Sequence, residues 1–140
     1  MSKVAVVFWS GTGNTEAMAD AVKDGAQGAG ADVTLFGPAD FSADHIAEFD
    51  AIAFGCPSMG VEVLEEEEFE PMFTAVEGAL SGKKIALFGS YGWGDGEWMR
   101  NWEERCTQAG AVLACDSVTC MNDPDDEAQE ACKALSAALA

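Results

Sequence analysis

At 140 residues the chain has the size of one globular domain, and with 49% hydrophobic and 23% charged residues it is too apolar to be disordered. Its formal net charge of −18, from 25 acidic against 7 basic residues, argues against nucleic acid or an anionic membrane as a partner. No apolar run approaches the roughly 20 residues of a bilayer span, and residues 1–9 lack the length and cleavage site of a signal peptide, so a cytoplasmic location is expected.

The elements alternate along the chain. The apolar run Val4-Ala5-Val6-Val7-Phe8-Trp9 predicts a first strand, and Met18, Val22 and Ala26 recur at helical spacing over about 14–29, closed by Gly28 and Gly30. Val33 to Phe36 reads as a short strand stopped by Gly37-Pro38, and 42–49 as a short helix with Ser42 as its cap. Ala51 to Cys56 is apolar throughout, as a strand covered on both faces should be. Phe69, Met72, Phe73, Val76 and Leu80 form a helical stripe with Pro71 in its first turn and Gly82 at its end. A fourth strand over 84–90 precedes a helix with Trp98, Trp102, Cys106 and Ala109 inward. A fifth strand over 112–118 precedes a last helix from about Asp125, with Ala128, Cys132, Leu135 and Leu139 inward.

Strands alternating with helices predict right-handed crossovers, hence an α/β three-layer sandwich: a five-stranded parallel sheet of order 2-1-3-4-5 with helices on both faces. In such a sheet ligands bind outside the carboxyl ends of the strands, where strand order reverses. The loops after strands one, three and four, beginning at Ser10, Pro57 and Tyr91, should therefore meet.

The first of them, Ser10-Gly11-Thr12-Gly13-Asn14-Thr15, joins a strand to a helix start, where unpaired amides and the helix dipole favour an anion. It lacks the lysine of a triphosphate loop, and Glu16 stands where a dinucleotide fingerprint has its third glycine. A single phosphomonoester held by neutral donors is left, against the plainer alternative of an ordinary turn capped by Asn14 or Thr15. The second loop, Pro57-Ser58-Met59-Gly60-Val61-Glu62, offers a thioether, a conformationally free glycine and a carboxylate. The third sets Trp93 between two glycines, a placement suited to stacking on a planar ligand. Phosphate plus a flat heteroaromatic ring points to a mononucleotide such as a flavin.

Taken together, Trp9 to Thr15, Gly55-Cys56-Pro57-Ser58-Met59-Gly60 and Gly89-Ser90-Tyr91-Gly92-Trp93-Gly94-Asp95-Gly96 resemble the short-chain flavodoxins of clostridial type, over essentially the whole of a single domain at 1–140. The resemblance implies non-covalent FMN and low-potential one-electron transfer between semiquinone and hydroquinone, in place of or alongside ferredoxin. It implies that Ser10, Thr12, Asn14 and Thr15, with the backbone of Gly11 and Gly13, hold the phosphate. By the same resemblance Trp93 stacks on one face of the ring and Met59 covers part of the other, while the Gly60 carbonyl turns toward flavin N5–H. Glu62 accepts from N3–H, and backbone groups around Val61, Pro57, Ser58, Ser90, Tyr91, Gly92 and Gly94 complete the pocket. Val61 and Pro57 stand where some related sequences carry a polar residue and a serine.

No nucleophile–base pair or metal cluster accompanies these loops, so an electron carrier is expected and a catalyst is not; a small flavin-dependent reductase is the nearest rival. A phospho-receiver would need acidic strand ends where this chain has Trp9-Ser10 and Cys56-Pro57. The expected partners are basic-surfaced redox proteins of the ferredoxin-reductase and acceptor kind, met transiently by a monomer. Six of the nine residues from Glu62 to Glu70 are glutamate, and five acids lie between Asp123 and Glu130. Such runs are either a solvated face or a docking surface, and Glu65 to Glu68 is the run placed nearest the loops. The five cysteines read as buried free thiols and His45 as a solvent-facing helix residue.

Overall fold

The structure, a computed structural model, describes residues 3–10, 13–58, 64–91, 96–121 and 124–139. Among these, β1 (Lys3–Phe8), α1 (Asn14–Gly28), β2 (Asp32–Phe36), a 3-10 turn (Pro38–Asp40), α2 (Ala43–Ile46) and β3 (Ala51–Gly55) fill the first half. The second half holds α3 (Phe69–Glu77), β4 (Lys84–Tyr91), α4 (Glu97–Gln108), β5 (Val112–Leu113), β6 (Val118–Met121) and α5 (Asp126–Leu139). Every described pairing is parallel, in the order β2-β1-β3-β4-β5, with β6 also on β4.

The strand period of two divides the core. Ala5, Val7, Ile52, Phe54, Ile85 and Leu87 face one side, where Phe69, Phe73, Trp98 and Trp102 from α3 and α4 cover them. Val4, Val6, Ala51, Ala53, Ala86 and Phe88 face the other, covered by Met18, Val22 and Ala26 of α1 and Cys132, Leu135 and Leu139 of α5. The first face is the more aromatic: Phe69 and Phe73 both meet Trp102 edge-on, with centroids 5.5 and 5.7 Å away. Across α3 and α4 the Arg105 guanidinium binds Glu70 (2.8 Å) and Glu77 (2.6 Å) and lies 4.9 Å from the centre of the Phe73 ring.

Several expectations change: α2 covers only Ala43–Ile46 of the helix expected over 42–49, and Cys115 and Cys120 are half-buried where all five thiols are expected inside. The fifth strand is not continuous over 112–118: β5 pairs with Lys84 and Ile85, β6 with Phe88 to Tyr91, and the chain leaves the edge between them. The intervening Asp116-Ser117 is poor strand sequence, and Ser117 Oγ turns away to donate to Glu103 Oε2 of α4 at 2.8 Å. The third helix ends at Glu77, and the chain reaches Gly82 through turns that still bury Leu80. His45 is half-buried rather than wholly solvent-facing. Its ring stacks on Phe41 at 5.5 Å, and its Nδ1 accepts the N–H of Ser42 at 3.1 Å, closing the short helix α2.

Candidate functional site

The carboxyl ends of β1, β3 and β4 lie side by side, with Phe8 opposite Gly55 and Gly55 opposite Phe88. The pairing carries on past the strands. Trp9 N–H donates to the Gly55 carbonyl at 3.1 Å, Cys56 N–H to that of Phe88 at 3.1 Å and Ser58 N–H to that of Ser90 at 3.0 Å. The three loops therefore leave the sheet from one place, at the reversal between β1 and β3.

Gly13 caps α1 with φ of 94°, a left-handed conformation that costs glycine little and most other residues more. Asn14 is thus the first residue inside the helix, and the capping is done from a distance by Ser10, whose Oγ accepts the N–H of Gly13 (3.1 Å) and of Glu16 (3.2 Å). The amides of Asn14 and Thr15 have no acceptor among the described residues. Two amides and a hydroxyl hydrogen without an acceptor among the described residues, at the positive end of a 15-residue helix, suit a phosphomonoester dianion. The Thr15 side chain turns inward instead: it is 1% exposed, and its Oγ1 lies 3.2 Å from Ser90 Oγ, fastening the start of α1 to the end of β4.

The residues predicted for the site divide accordingly. Ser10, Gly13, Asn14 and Thr15 stand at the α1 end, and Pro57, Ser58, Ser90 and Tyr91 at the ends of β3 and β4. Pro57, Ser58 and Tyr91 are half-buried, and the Tyr91 ring sits 5.4 Å from that of Trp98. Gly11, Thr12, Met59, Gly60, Val61, Glu62, Gly92, Trp93 and Gly94 lie outside the described residues.

Some groups around the site carry more than the sequence suggested. Glu65, read as one of a run of surface charges, is 6% exposed, and its carboxylate accepts the amides of Glu67 (2.9 Å), Glu68 (2.7 Å) and Phe69 (2.8 Å) at the start of α3. Burial pushes this carboxyl up, but the three amides outweigh it and hold it below the usual carboxylate range. Glu68 Oε2 accepts the indole N–H of Trp9 at 3.1 Å. Trp98, expected only to pack, also donates its indole N–H to the Cys56 carbonyl at 3.2 Å. That approach requires Gly89, since a Cβ there would collide with the same carbonyl. No sequence signal marks Trp98 as a donor, whereas an acid four residues ahead of Phe69 is compatible with capping, although glutamate is not among the favoured caps.

Residues 6–135 match the flavodoxin family. The chain is 47% identical to the flavodoxin of Megasphaera elsdenii over 137 residues, covering 98% of both chains. It is likewise 47% identical to that of Clostridium beijerinckii over 125 residues, covering 89% of this chain and 91% of the relative. Its fold superposes on the solution structure of two-electron reduced Megasphaera elsdenii flavodoxin with a TM-score of 0.88, at 46% identity and 97% coverage of each chain. With this match over nearly its whole length, the chain belongs to the flavodoxin family and is an FMN-binding electron-transfer protein, not an enzyme.

Proposed function

We propose that the FMN phosphate is held by Ser10, Thr12, Asn14 and Thr15 with the backbone of Gly11 and Gly13, and that the ring is enclosed by 57–62 and 90–94, with Trp93 on one face and Met59 on the other. The bound flavin supplies the group that accepts and releases electrons one at a time. The observation that carries the assignment is the start of α1, where the Asn14 and Thr15 amides have no acceptor among the described residues and Ser10 holds two more amides through Oγ. In this reading Ser10 donates its hydroxyl hydrogen to the phosphate while keeping the turn folded. Thr15 contributes its amide, and its hydroxyl holds Ser90 in place.

None of the segments 10–15, 57–62 and 90–96 contains lysine or arginine, and Glu62 and Asp95 lie within them. A negative charge gained by the ring would thus meet no fixed cation from these loops and several nearby anions, which supports a low potential for the second electron. Suited to that are work in place of or alongside ferredoxin, a cytoplasmic location, and a monomer that meets basic-surfaced reductases and acceptors briefly. The test is titration of apoprotein with FMN and with FAD: strong preference for FMN is expected, since the amides enclose a terminal phosphate. Equal affinity for FAD would show the phosphate end to be open and the assignment wrong.

A further inference from the structure

Cys56, at the end of β3, is fully buried and engaged on every polar atom. Its N–H donates to Phe88, its carbonyl accepts from Trp98, its Sγ accepts the Glu65 N–H at 3.4 Å, and its S–H donates to the Pro57 carbonyl at 3.5 Å. Burial drives the thiol far above its ordinary pKa, so it remains an S–H donor at any physiological pH. Glu65, its partner across the loop, is bound just as fully. Besides the three amides on its carboxylate, its carbonyl accepts the Glu70 N–H at 2.8 Å.

These bonds join residues 56 and 65 directly and fasten both to the sheet and to α3, so the two points between which 57–64 runs in sequence are held together. Ser58 is tied to Ser90 just inside the first of them. The sequence between the two points carries Met59, Gly60 and Glu62, which stand against the flavin in the reading given above. We propose that Cys56 and Glu65 are positioning residues for the flavin-covering loop, setting how tightly that loop holds FMN and at what potential the bound flavin is reduced. Neither side chain need touch the cofactor. The proposal rests on the assigned place of 59–62 and adds to it that a buried thiol and a buried carboxylate, in place of the exposed acids beside them, govern the loop. Fixing the ends of a short loop removes conformational freedom that binding would otherwise have to remove.

The test compares Cys56→Ala, Cys56→Ser, Glu65→Gln and, as a remote control of stability, Leu139→Ala in α5, each loaded with FMN. Cys56→Ala and Glu65→Gln should release FMN roughly tenfold faster than the parent and shift its reduction midpoints. Hydrogen exchange at the amides of 59–63 should also speed up in the apoprotein. Cys56→Ser, whose hydroxyl can make both bonds, should restore all three properties, and Leu139→Ala should lower the unfolding temperature while leaving them unmoved. Changes in Cys56→Ala and Glu65→Gln no larger than those in Leu139→Ala would overturn the proposal, leaving FMN binding itself intact. If the parent bound no FMN, it would be the site assignment that failed.

Discussion

Replacing Ser10 with alanine removes one oxygen that does two things, and the two can be separated by choice of ligand. In the apoprotein Ser10 Oγ accepts the Gly13 and Glu16 amides, so its loss should cost the free chain about 0.5–2 kcal/mol, as other helix caps do. Toward FMN the variant also loses a donor to a charged phosphate, about 1.5–3 kcal/mol. Part of that returns, because the two released amides can turn to the phosphate oxygens instead. The net weakening should be about 1–2 kcal/mol, or roughly five- to thirtyfold in dissociation constant. Quenching of flavin fluorescence on titrating apoprotein measures it, and riboflavin, with the same ring and no phosphate, supplies the control. The fold-loss should be present for FMN and absent for riboflavin. An equal loss for both ligands would mean that Ser10 acts only by shaping the loop, and no loss for either would remove it from the site.

Arg105→Met should lower stability by about 1–2 kcal/mol, a few degrees in unfolding temperature, since Arg105 joins α3 to α4 through Glu70 and Glu77 while remaining partly solvated; an unchanged melt would show the pairing to be idle. Glu65 and Glu70 both titrate below their ordinary value of 4.5: burial opposes ionisation in each, but it is outweighed by backbone amides at Glu65 and by Arg105 and Thr74 at Glu70. Their stabilisation is present in full above the ordinary carboxylate pKa and fades as pH falls through the lowered ones, so melting temperature should drop with acid below about pH 4.5 and drop less steeply in Glu70→Gln; identical pH profiles would contradict this. Glu66 and Glu67 are exposed while Glu65 is not, so Glu66→Gln with Glu67→Gln should slow electron transfer to a basic acceptor such as cytochrome c at low salt and converge with the parent at high salt. Rates indifferent to both salt and substitution would make these acids a solubilising face only.

The sheet was readable because its period and composition left few choices. Val4 to Phe8 and Ala51 to Gly55 are apolar on both faces, as central parallel strands must be, and the glycine-rich turn after β1 opens a helix whose Met18, Val22 and Ala26 are buried as spaced. The edge was less legible, because a short strand pairs on one side only and yields to a local competitor: Ser117 is drawn off by Glu103 of α4, which no pattern within 112–118 could show. Charge misled more than hydrophobicity did. Four adjacent glutamates look alike in sequence, yet the turn ahead of α3 points Glu65 inward onto three amides, sets Glu68 against Trp9 and leaves Glu66 and Glu67 in solvent. At the start of α1 the sequence names Ser10, Asn14 and Thr15 but not how their side chains divide. Thr15 closes on Ser90, and Ser10 caps from four residues ahead a helix that begins at Asn14, because those pairings depend on how β1, α1 and β4 meet.

Reductive titration of the FMN-reconstituted protein under anaerobic conditions, followed by visible absorption at controlled potential, tests the central claim most directly. One FMN per chain should be reduced in two resolved one-electron steps, the second well below that of free FMN. A single two-electron step at the potential of free FMN, or flavin bound in other than one-to-one ratio, would contradict an electron carrier built on these three loops.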